Sequence, residues 1–293
     1  MTERSTSARP PAVAGQFYAD DGRELARQVE ACFTDPRGPG ELPVRRRTPE
    51  RHIRAAVVPH AGYPYSGPIA ALAYGRIAAE RAPWTTLILG VNHHGEGAPA
   101  AVSDRDWRTP LGPTEVDHDL ARRLADHPPI TIDEATHASE HSIEVELPFL
   151  EYVVPKPRFV GLMVRFESLE FLTKVARGVA QAIAGHDVLL LASTDFSHYV
   201  PAEEAKRLDR RAIDRILALD GPGLYTTVVR EGISMCGVAP TTVLLEALAG
   251  EPLETELLRW GHSGEASPMA EVVGYAAILL TSRTPLEPSE RSN

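Results

Sequence analysis

Short runs of β-branched and leucine-rich residues alternate with longer amphipathic stretches over most of the chain. Five of these runs have the length and composition of strands: Arg54–Pro59, Thr85–Gly90, Arg158–Val164, Asp187–Ser193 and Val272–Thr281. Their apolar positions are almost continuous, which is typical of strands that are covered on both faces of a sheet. The pattern therefore predicts a buried, mostly parallel sheet.

The stretches between these runs carry apolar residues at the i, i+3, i+4 spacing of helices. The predicted helices are Asp21–Cys32, Gly67–Ala79, Ser142–Val153, Leu169–Ala184, Glu203–Leu219 and Val238–Leu248. Strands that alternate with helices indicate an α/β protein: a single domain whose central, mostly parallel sheet is flanked by helices on both faces. We expect the domain to span residues 8–284, with polar, disordered tails at 1–7 and 285–293.

Composition narrows the function classes. The 293 residues carry 30 Lys and Arg against 40 Asp and Glu, a formal charge of −10. The only basic run, Arg45-Arg46-Arg47, is interpreted as a solvated loop, so we do not expect nucleic-acid binding. The longest uncharged apolar stretch, Val272–Thr281, is about half of the ~20 residues that a membrane helix needs, and the N-terminus lacks the apolar region of a secretory signal. We expect no membrane association and a cytoplasmic location.

Three polar clusters directly follow predicted strands. They are Pro59-His60-Ala61-Gly62-Tyr63, Asn92-His93-His94 and Ser193-Thr194-Asp195-Phe196-Ser197-His198. Because the carboxyl ends of parallel strands share one edge of the sheet, we expect His60, His93 and His198 to converge there. Neutral imidazoles are ligands for iron, copper, zinc and nickel, so the set favours a metal site over three separate turn or cap residues. His94 should point differently from His93 and is a candidate to face substrate, and Tyr63 is expected to line the same crevice.

Acidic residues near these clusters have several interpretations. Asp195 can ligate a metal, orient a histidine or cap the following turn, and the last two are favoured. The segment Glu140-His141-Ser142-Ile143-Glu144-Val145-Glu146 is predicted to open a helix. His141 and Glu144 would then share a face, as an acid/base pair or with Glu144 as a metal carboxylate. The alternative is a charged, solvated first turn, which accounts for Glu140 and Glu146 but poorly for His141.

The two cysteines differ in context. Cys32 lies in an amphipathic helical pattern and is interpreted as a small core residue. Cys236 precedes a predicted helix, where amide dipoles would lower the pKa of its thiol and favour a nucleophile or a soft metal ligand. A buried, inert Cys236 is equally compatible with the local sequence.

Six motifs, in this order, resemble the Memo family, whose prokaryotic members are often called AmmeMemoRadiSam system protein B. The motifs are VPHAGYPYSG, LGVNHHG, WRTPLGPTEVD, EHSIEVELPFL, STDFSHY and MCGVAP. The resemblance implies a fold similar to class III extradiol dioxygenases. It also implies metal ligation by His60, His93 and Cys236, with Asp195 and His198 lining the same pocket.

The resemblance also suggests functions and partners. Animal members of the family have been linked to phosphotyrosine-peptide binding, to copper or iron binding and to redox regulation. Prokaryotic members are linked by name to a radical-SAM partner and an AMMECR1-like partner. Extradiol dioxygenases hold iron with two histidines and a carboxylate, whereas this chain has Cys236 at the third matched position, which sets it apart from a standard dioxygenase.

Three hypotheses follow. In the first, the protein is a metal-dependent oxidoreductase that uses iron(II) or copper, with His198 as acid/base and Asp195 or Glu144 orienting it; His141 is a further candidate catalytic residue. In the second, the same pocket binds metal, a small molecule or a peptide without turnover. In the third, Cys236 is a metal-free nucleophile activated by His198 or His141.

Overall fold

The structure, a computed structural model, describes residues 8–44 and 48–288. The basic run Arg45-Arg46-Arg47 and the predicted tail residues 1–7 and 289–293 lie outside the described residues. Residues 285–288, also predicted as tail, are described. There the N–H of Leu286 donates to the Arg51 carbonyl at 2.7 Å, and the Leu286 carbonyl accepts from Arg81 Nη2 at 2.9 Å.

All five predicted strands are present, together with six that the pattern did not predict. In the described part of the chain the strands are β1 (Ile53–Val58), β2 (Thr85–Val91), β3 (Ala100–Val102), β4 (Trp107–Thr109), β5 (Gly112–Val116), β6 (Thr131–Ile132), β7 (Arg158–Val164), β8 (Val188–Ser193), β9 (His198–Val200), β10 (Leu253–His262) and β11 (Val272–Ser282). Every residue of β1, β2 and β8 is buried, as their continuous apolar sequences predict.

The main path of the sheet runs β10-β11-β1-β8-β2-β7-β3-β6. The four central strands β1, β8, β2 and β7 are parallel, with Leu191 of β8 paired to Ala56 on one side and Ile88 on the other. Antiparallel pairs lie at the margins, where β11 joins β1 and β10, and β3 joins β7. The predicted α/β architecture with a mostly parallel central sheet is confirmed.

Eight α-helices cover this sheet in the two described ranges: α1 (Gly22–Thr34), α2 (Tyr63–Ala79), α3 (His118–Ala125), α4 (Leu147–Val153), α5 (Leu169–Ile183), α6 (Ala202–Leu217), α7 (Gly221–Glu231) and α8 (Val238–Ala247). On one face α2 packs against β1, β10 and β11 and is backed by α1 and α4. On the other face α8 packs against β8, β2 and β7 and is backed by α5 and α7.

Local sequence explains where two of these helices begin. The Asp21 side chain accepts from the N–H groups of Arg23 and Glu24 and thereby caps α1. Helix α2 begins at Tyr63, four residues before its predicted start, because Pro64 is compatible with the first turn of a helix.

The α1–α2 contact explains the first cysteine. Cys32 is buried against Gly67, where a Cβ atom would lie 2.5 Å from the cysteine sulfur. The interpretation of Cys32 as a core residue agrees with this contact.

Close packing also positions the segment that follows β6. Gly90 in β2 has no side chain, and a Cβ atom there would lie 2.5 Å from Ile143 Cγ1 and 2.8 Å from Ser142 Oγ. The absence of a Cβ lets residues 142–143 lie directly on the sheet. His141 is thereby brought to the carboxyl ends of β1 and β2.

Candidate metal centre

Three histidines meet at the carboxyl edge of the central strands. His60 follows β1, His93 follows β2, and His141 approaches from the segment packed on Gly90. Each offers a ring nitrogen, and these three atoms lie within 4.8 Å of one another. The rings of His93 and His141 are stacked with centroids 4.7 Å apart, and His60 meets both edge-on at 5.3 Å. The predicted convergence of His60 and His93 is observed, but the third member of this group is His141, in place of the predicted His198.

One buried carboxylate, that of Glu140, orients two of these rings. His93 Nδ1 and His141 Nδ1 lie 3.0 and 3.2 Å from the same oxygen, Glu140 Oε1. The carboxylate also accepts from the N–H groups of His93, His141 and Ser142. Burial alone would raise the pKa of Glu140, but its bonds to His141 and His93 hold that pKa far below its usual range. An anionic Glu140 therefore engages both Nδ1 atoms and leaves both Nε2 atoms available.

His60 is oriented by a different set of groups. Its Nδ1 lies 2.8 Å from Ser193 Oγ at the end of β8, and its backbone N–H donates to Asp195 Oδ1 at 2.9 Å. Burial, followed by the neighbouring His141 and His93, lowers the pKa of His60 well below its ordinary value. His60 is therefore a neutral imidazole, which is the form that binds metals.

Cys236 adjoins the cluster. Its Sγ lies 3.3 Å from His60 Nε2 and accepts from the Asp195 N–H at 3.3 Å. The next residue, Gly237, lies so close to Thr194 that a side chain would not fit. Of the two alternatives that the sequence leaves open, a lowered thiol pKa is not observed: burial first, and the nearby Asp195 carboxylate second, raise the pKa of the thiol despite the hydrogen bonds at the helix start.

Asp195, in the loop that follows β8, and His198, the first residue of β9, lie beside the cluster. Asp195 is buried, and burial raises the pKa of its carboxyl. Its Oδ1 accepts from the backbone N–H of His60 and not from a ring nitrogen, so an orienting role for Asp195 stays a prediction. His198 Nδ1 lies 2.7 and 2.9 Å from the carbonyl oxygens of Phe196 and Ser234. These acceptors fix the proton on Nδ1 and leave Nε2 as the basic nitrogen.

Glu144 does not occupy its expected position. Residues 142–143 form a turn and Glu144–Glu146 a single 3-10 turn, so the helical spacing assumed between His141 and Glu144 does not exist. The Glu144 carboxylate instead accepts from Arg9 Nη1 at 2.7 Å and from the Tyr18 hydroxyl at 2.6 Å. Glu144 therefore anchors the N-terminal segment that contains Arg9 and Tyr18. It is neither a partner of His141 nor an orienting group for His198.

Tyr63 and His94, the two residues predicted to face substrate, lie in different environments in the structure. Tyr63 is 1% exposed and donates its hydroxyl to the Val145 carbonyl at 2.8 Å, so it lies in the core and not in a crevice. The expectation for Tyr63 is therefore wrong. His94 is exposed next to His93, which leaves its substrate-facing role open as a prediction.

Sequence reasoning missed three polar residues that support the cluster. A charged first helical turn is what the sequence predicts for Glu140 and Glu146, yet both are fully buried, and so is Ser193. Burial raises the pKa of Glu146 to about 8. The available signal was that Glu144 and Glu146 alternate with Val145 and lead directly into an apolar run, which is unusual for a solvated turn.

Together, the fold and the site define a class: an α/β protein with a carboxylate-supported cluster of three histidines that can hold a metal ion, in which His60 is buried, His141 half-buried and His93 exposed. Comparison with known proteins supplies the family. The family model described as Memo-like protein matches residues 9–279, and the chain belongs to this family.

Relatives support that assignment over nearly the whole length. A MEMO1 family protein of Methanopyrus kandleri is 44% identical over 92% of this chain and 98% of its own. A second, from Methanothermobacter thermautotrophicus, is 40% identical over 92% of this chain and 99% of its own. A crystal structure of an uncharacterized protein from Escherichia coli K12 matches the fold with a TM-score of 0.53 at 14% identity, covering 77% of this chain and 99% of that one.

In the described residues, none of the helices has both the length and the apolar character required to cross a bilayer.

Proposed function

We propose that the protein is a metal-dependent oxidoreductase that binds iron(II) or copper through His60, His93 and His141. One observation carries the proposal: three ring nitrogens converge within 4.8 Å. The Nδ1 atoms of the same rings are occupied by Glu140 and Ser193. Cys236, whose Sγ lies 3.3 Å from His60 Nε2, is the additional ligand that the family resemblance implies.

The donor set fits such a metal. Neutral imidazoles suit iron and copper, and a thiol adds a softer ligand that favours copper(I) or alters the potential of iron. The buried anionic Glu140 compensates the positive charge of a cation, and its bonds to two Nδ1 atoms increase the basicity of the ligating nitrogens. A bound iron(II) or copper ion would supply a Lewis-acidic, redox-active centre.

The protein's own groups would handle protons at this site. His198 presents Nε2 as its basic nitrogen and is suited to exchange a proton with a substrate. Asp195 accepts from the backbone N–H of His60. Burial first, and Asp195 in addition, raise the pKa of the Cys236 thiol. The raised thiol pKa counts against the third hypothesis, a metal-free thiolate nucleophile.

Metal analysis tests the proposal. Untagged protein purified anaerobically should bind one iron(II) or copper(I) ion per chain in a calorimetric titration. The variants His60→Ala, His93→Ala and His141→Ala should each lose more affinity than the about 10- to 100-fold that removal of an outer hydrogen-bond partner costs. His186→Ala is the matched control, because His186 is exposed just before β8 at the opposite edge.

Absence of binding by the native protein, or an equal loss in His186→Ala, would contradict metal binding. Oxygen consumption then separates turnover from binding alone. An iron-loaded protein that consumes no oxygen with any of a panel of catechols leaves the second hypothesis, a metal- or peptide-binding protein without turnover, as the better account.

A further inference from the structure

The support behind His60 consists of a small buried network centred on one hydroxyl. Ser193 Oγ lies 2.6 Å from the Ser142 carbonyl oxygen, 2.8 Å from Glu146 Oε1 and 2.8 Å from His60 Nδ1. Ser142, Glu146 and Ser193 are fully buried and His60 is 2% exposed. No bulk water competes for these groups, so each short contact has to carry its own proton.

Counting protons restricts the network. A serine hydroxyl has one proton to donate and two lone pairs to accept with. The Ser142 carbonyl can only accept, and it makes the shortest of the three contacts, so the Ser193 proton is directed to it. The contacts from His60 Nδ1 and Glu146 Oε1 must then both donate to Ser193 Oγ. If Glu146 were anionic, the single Ser193 proton could serve only one of the two contacts, to Ser142 O or to Glu146 Oε1. In the other contact two oxygen atoms would then face each other without a proton between them.

We infer that Glu146 is a neutral carboxylic acid that donates to Ser193, and that Ser193, whose own proton is directed to the Ser142 carbonyl, accepts from His60 Nδ1 and leaves the lone pair of His60 on Nε2. Glu146 is then a positioning residue for the metal cluster. This inference deepens the proposed function, because a free Nε2 matters only if His60 binds a metal.

The other contacts of Glu146 agree with a neutral acid. Its second oxygen, Oε2, accepts from the Tyr74 hydroxyl at 2.8 Å, as the carbonyl oxygen of an acid does. Glu140 faces two histidines and Glu144 an arginine, but within residues 8–44 and 48–288 no ion pair joins Glu146 to a basic group. Burial first, and Asp195 in addition, raise the pKa of Glu146 to about 8, above neutral pH.

Infrared spectroscopy tests the protonation state without any metal. In Glu146→Gln the neutral amide keeps both a donor and an acceptor, so the variant should fold. The difference spectrum of native protein against this variant should show the loss of a carboxylic-acid carbonyl band. Glu151→Gln is the matched control, since Glu151 is another largely buried carboxyl, bonded to Thr109 and Thr114, and the band assigned to Glu146 should survive there.

Metal affinity tests the positioning role with iron(II) as the probe. Ser193→Ala, which removes the partner of His60 Nδ1, and Glu146→Leu, which removes the donor to Ser193, should each bind about 10- to 100-fold more weakly than the native protein, and Glu146→Gln should recover affinity that Glu146→Leu loses. The nitrogen chemical shifts of His60 in the metal-free protein should report a proton on Nδ1 in native protein and Glu146→Gln.

Two results would overturn the inference. The first is that Glu146→Gln loses a carboxylate band, and not a carboxylic-acid band, relative to the native protein. The second is that His60 carries its proton on Nε2 in the native protein. If the native protein binds no metal at all, the proposed function fails, but the infrared and tautomer results still decide the inference.

Discussion

The same three strands carry two very different polar clusters at their two ends. At the amino ends, Arg51 precedes β1, Arg81 precedes β2 and Asp187 precedes β8, and the Asp187 carboxylate pairs with both guanidinium groups. At the carboxyl ends, His60 and His93 follow β1 and β2, and β8 ends at Ser193. The amino-end cluster is largely buried, whereas in the carboxyl-end cluster His60 is buried, His141 half-buried and His93 exposed.

The two clusters differ in whether their polar groups are already paired within the protein. In the arginine cluster opposite charges face each other, so its interactions are complete within the protein. In the histidine cluster the charged partner, Glu140, lies behind the rings and holds their Nδ1 atoms, while the remaining nitrogens face one another. Nitrogen lone pairs that point toward one another repel, and a cation between them relieves this repulsion. This contrast separates a cluster that stabilises the fold from one that is arranged to bind a ligand.

The largest effect is expected at the amino-end cluster. Asp187→Ala removes the carboxylate between two guanidinium groups and leaves Arg51, whose side chain is only 3% exposed, without its counter-charge. Breaking a buried ion pair in this way typically costs about 3–5 kcal/mol, so the free energy of unfolding should fall by about that amount in urea titrations. Metal stoichiometry of the folded fraction should not change.

An exposed ion pair supplies the control. Arg76→Ala breaks the pair with Glu256, in which both side chains are about half exposed, and should cost less than about 1 kcal/mol. Two results would contradict this division of roles between the ends of the strands. In one, Asp187→Ala is no more destabilising than Arg76→Ala, so the amino-end cluster does not stabilise the fold. In the other, Asp187→Ala abolishes metal binding in folded protein, so the amino-end cluster is not purely structural.

The next effect is at the carboxyl end. Glu140→Gln removes the negative charge that both Nδ1 atoms face and places an amide NH₂ against backbone donors. Iron(II) affinity should drop about 10- to 100-fold, as is typical for loss of a carboxylate behind metal-ligating histidines. Calorimetric titration measures it.

Glu80→Gln is the matched control, because the Glu80 carboxylate also accepts two backbone N–H groups, those of His52 and Ile53, but at the amino end of β1. Its metal affinity should equal that of native protein. Equal losses in both variants would mean that Glu140 acts on the fold as a whole.

The smallest effect is expected at Cys236. Cys236→Ser keeps the size of the side chain but replaces the sulfur, and three histidines remain, so affinity should fall by no more than about tenfold, or about 1.4 kcal/mol. In cobalt(II)-loaded protein a sulfur-to-metal charge-transfer band should be present and should vanish in this variant. Cys32→Ala, in the α1–α2 contact, should keep the band. A band that persists in Cys236→Ser would remove the sulfur from the ligand set.

The contrast between the two ends also marks how far sequence alone reaches. Continuous apolar runs predict the buried strands. Because parallel strands point in the same direction, the residues after β1 and β2 lie together, so the sequence alone predicts that His60 and His93 meet. Strand β10 was missed because its residues alternate in burial at the margin of the sheet and carry several charges.

The remaining features depend on three-dimensional contacts that no local pattern encodes. His141 joins the cluster only because Gly90 lets its segment lie on β2. Glu140, Glu144 and Glu146 face different partners because the chain there turns and does not form a regular helix. The thiol of Cys236 has a raised pKa because burial outweighs the helix start, and burial follows from the packing of α8 against β8.

The most direct test of the central claim is an anomalous difference map of crystals loaded anaerobically with iron(II), collected at the iron edge. We predict a single strong peak within bonding distance of Nε2 of His60, His93 and His141, on the side away from Glu140. A map with no peak among these three nitrogens, or with its peak elsewhere, would contradict the assignment of this cluster as a metal centre.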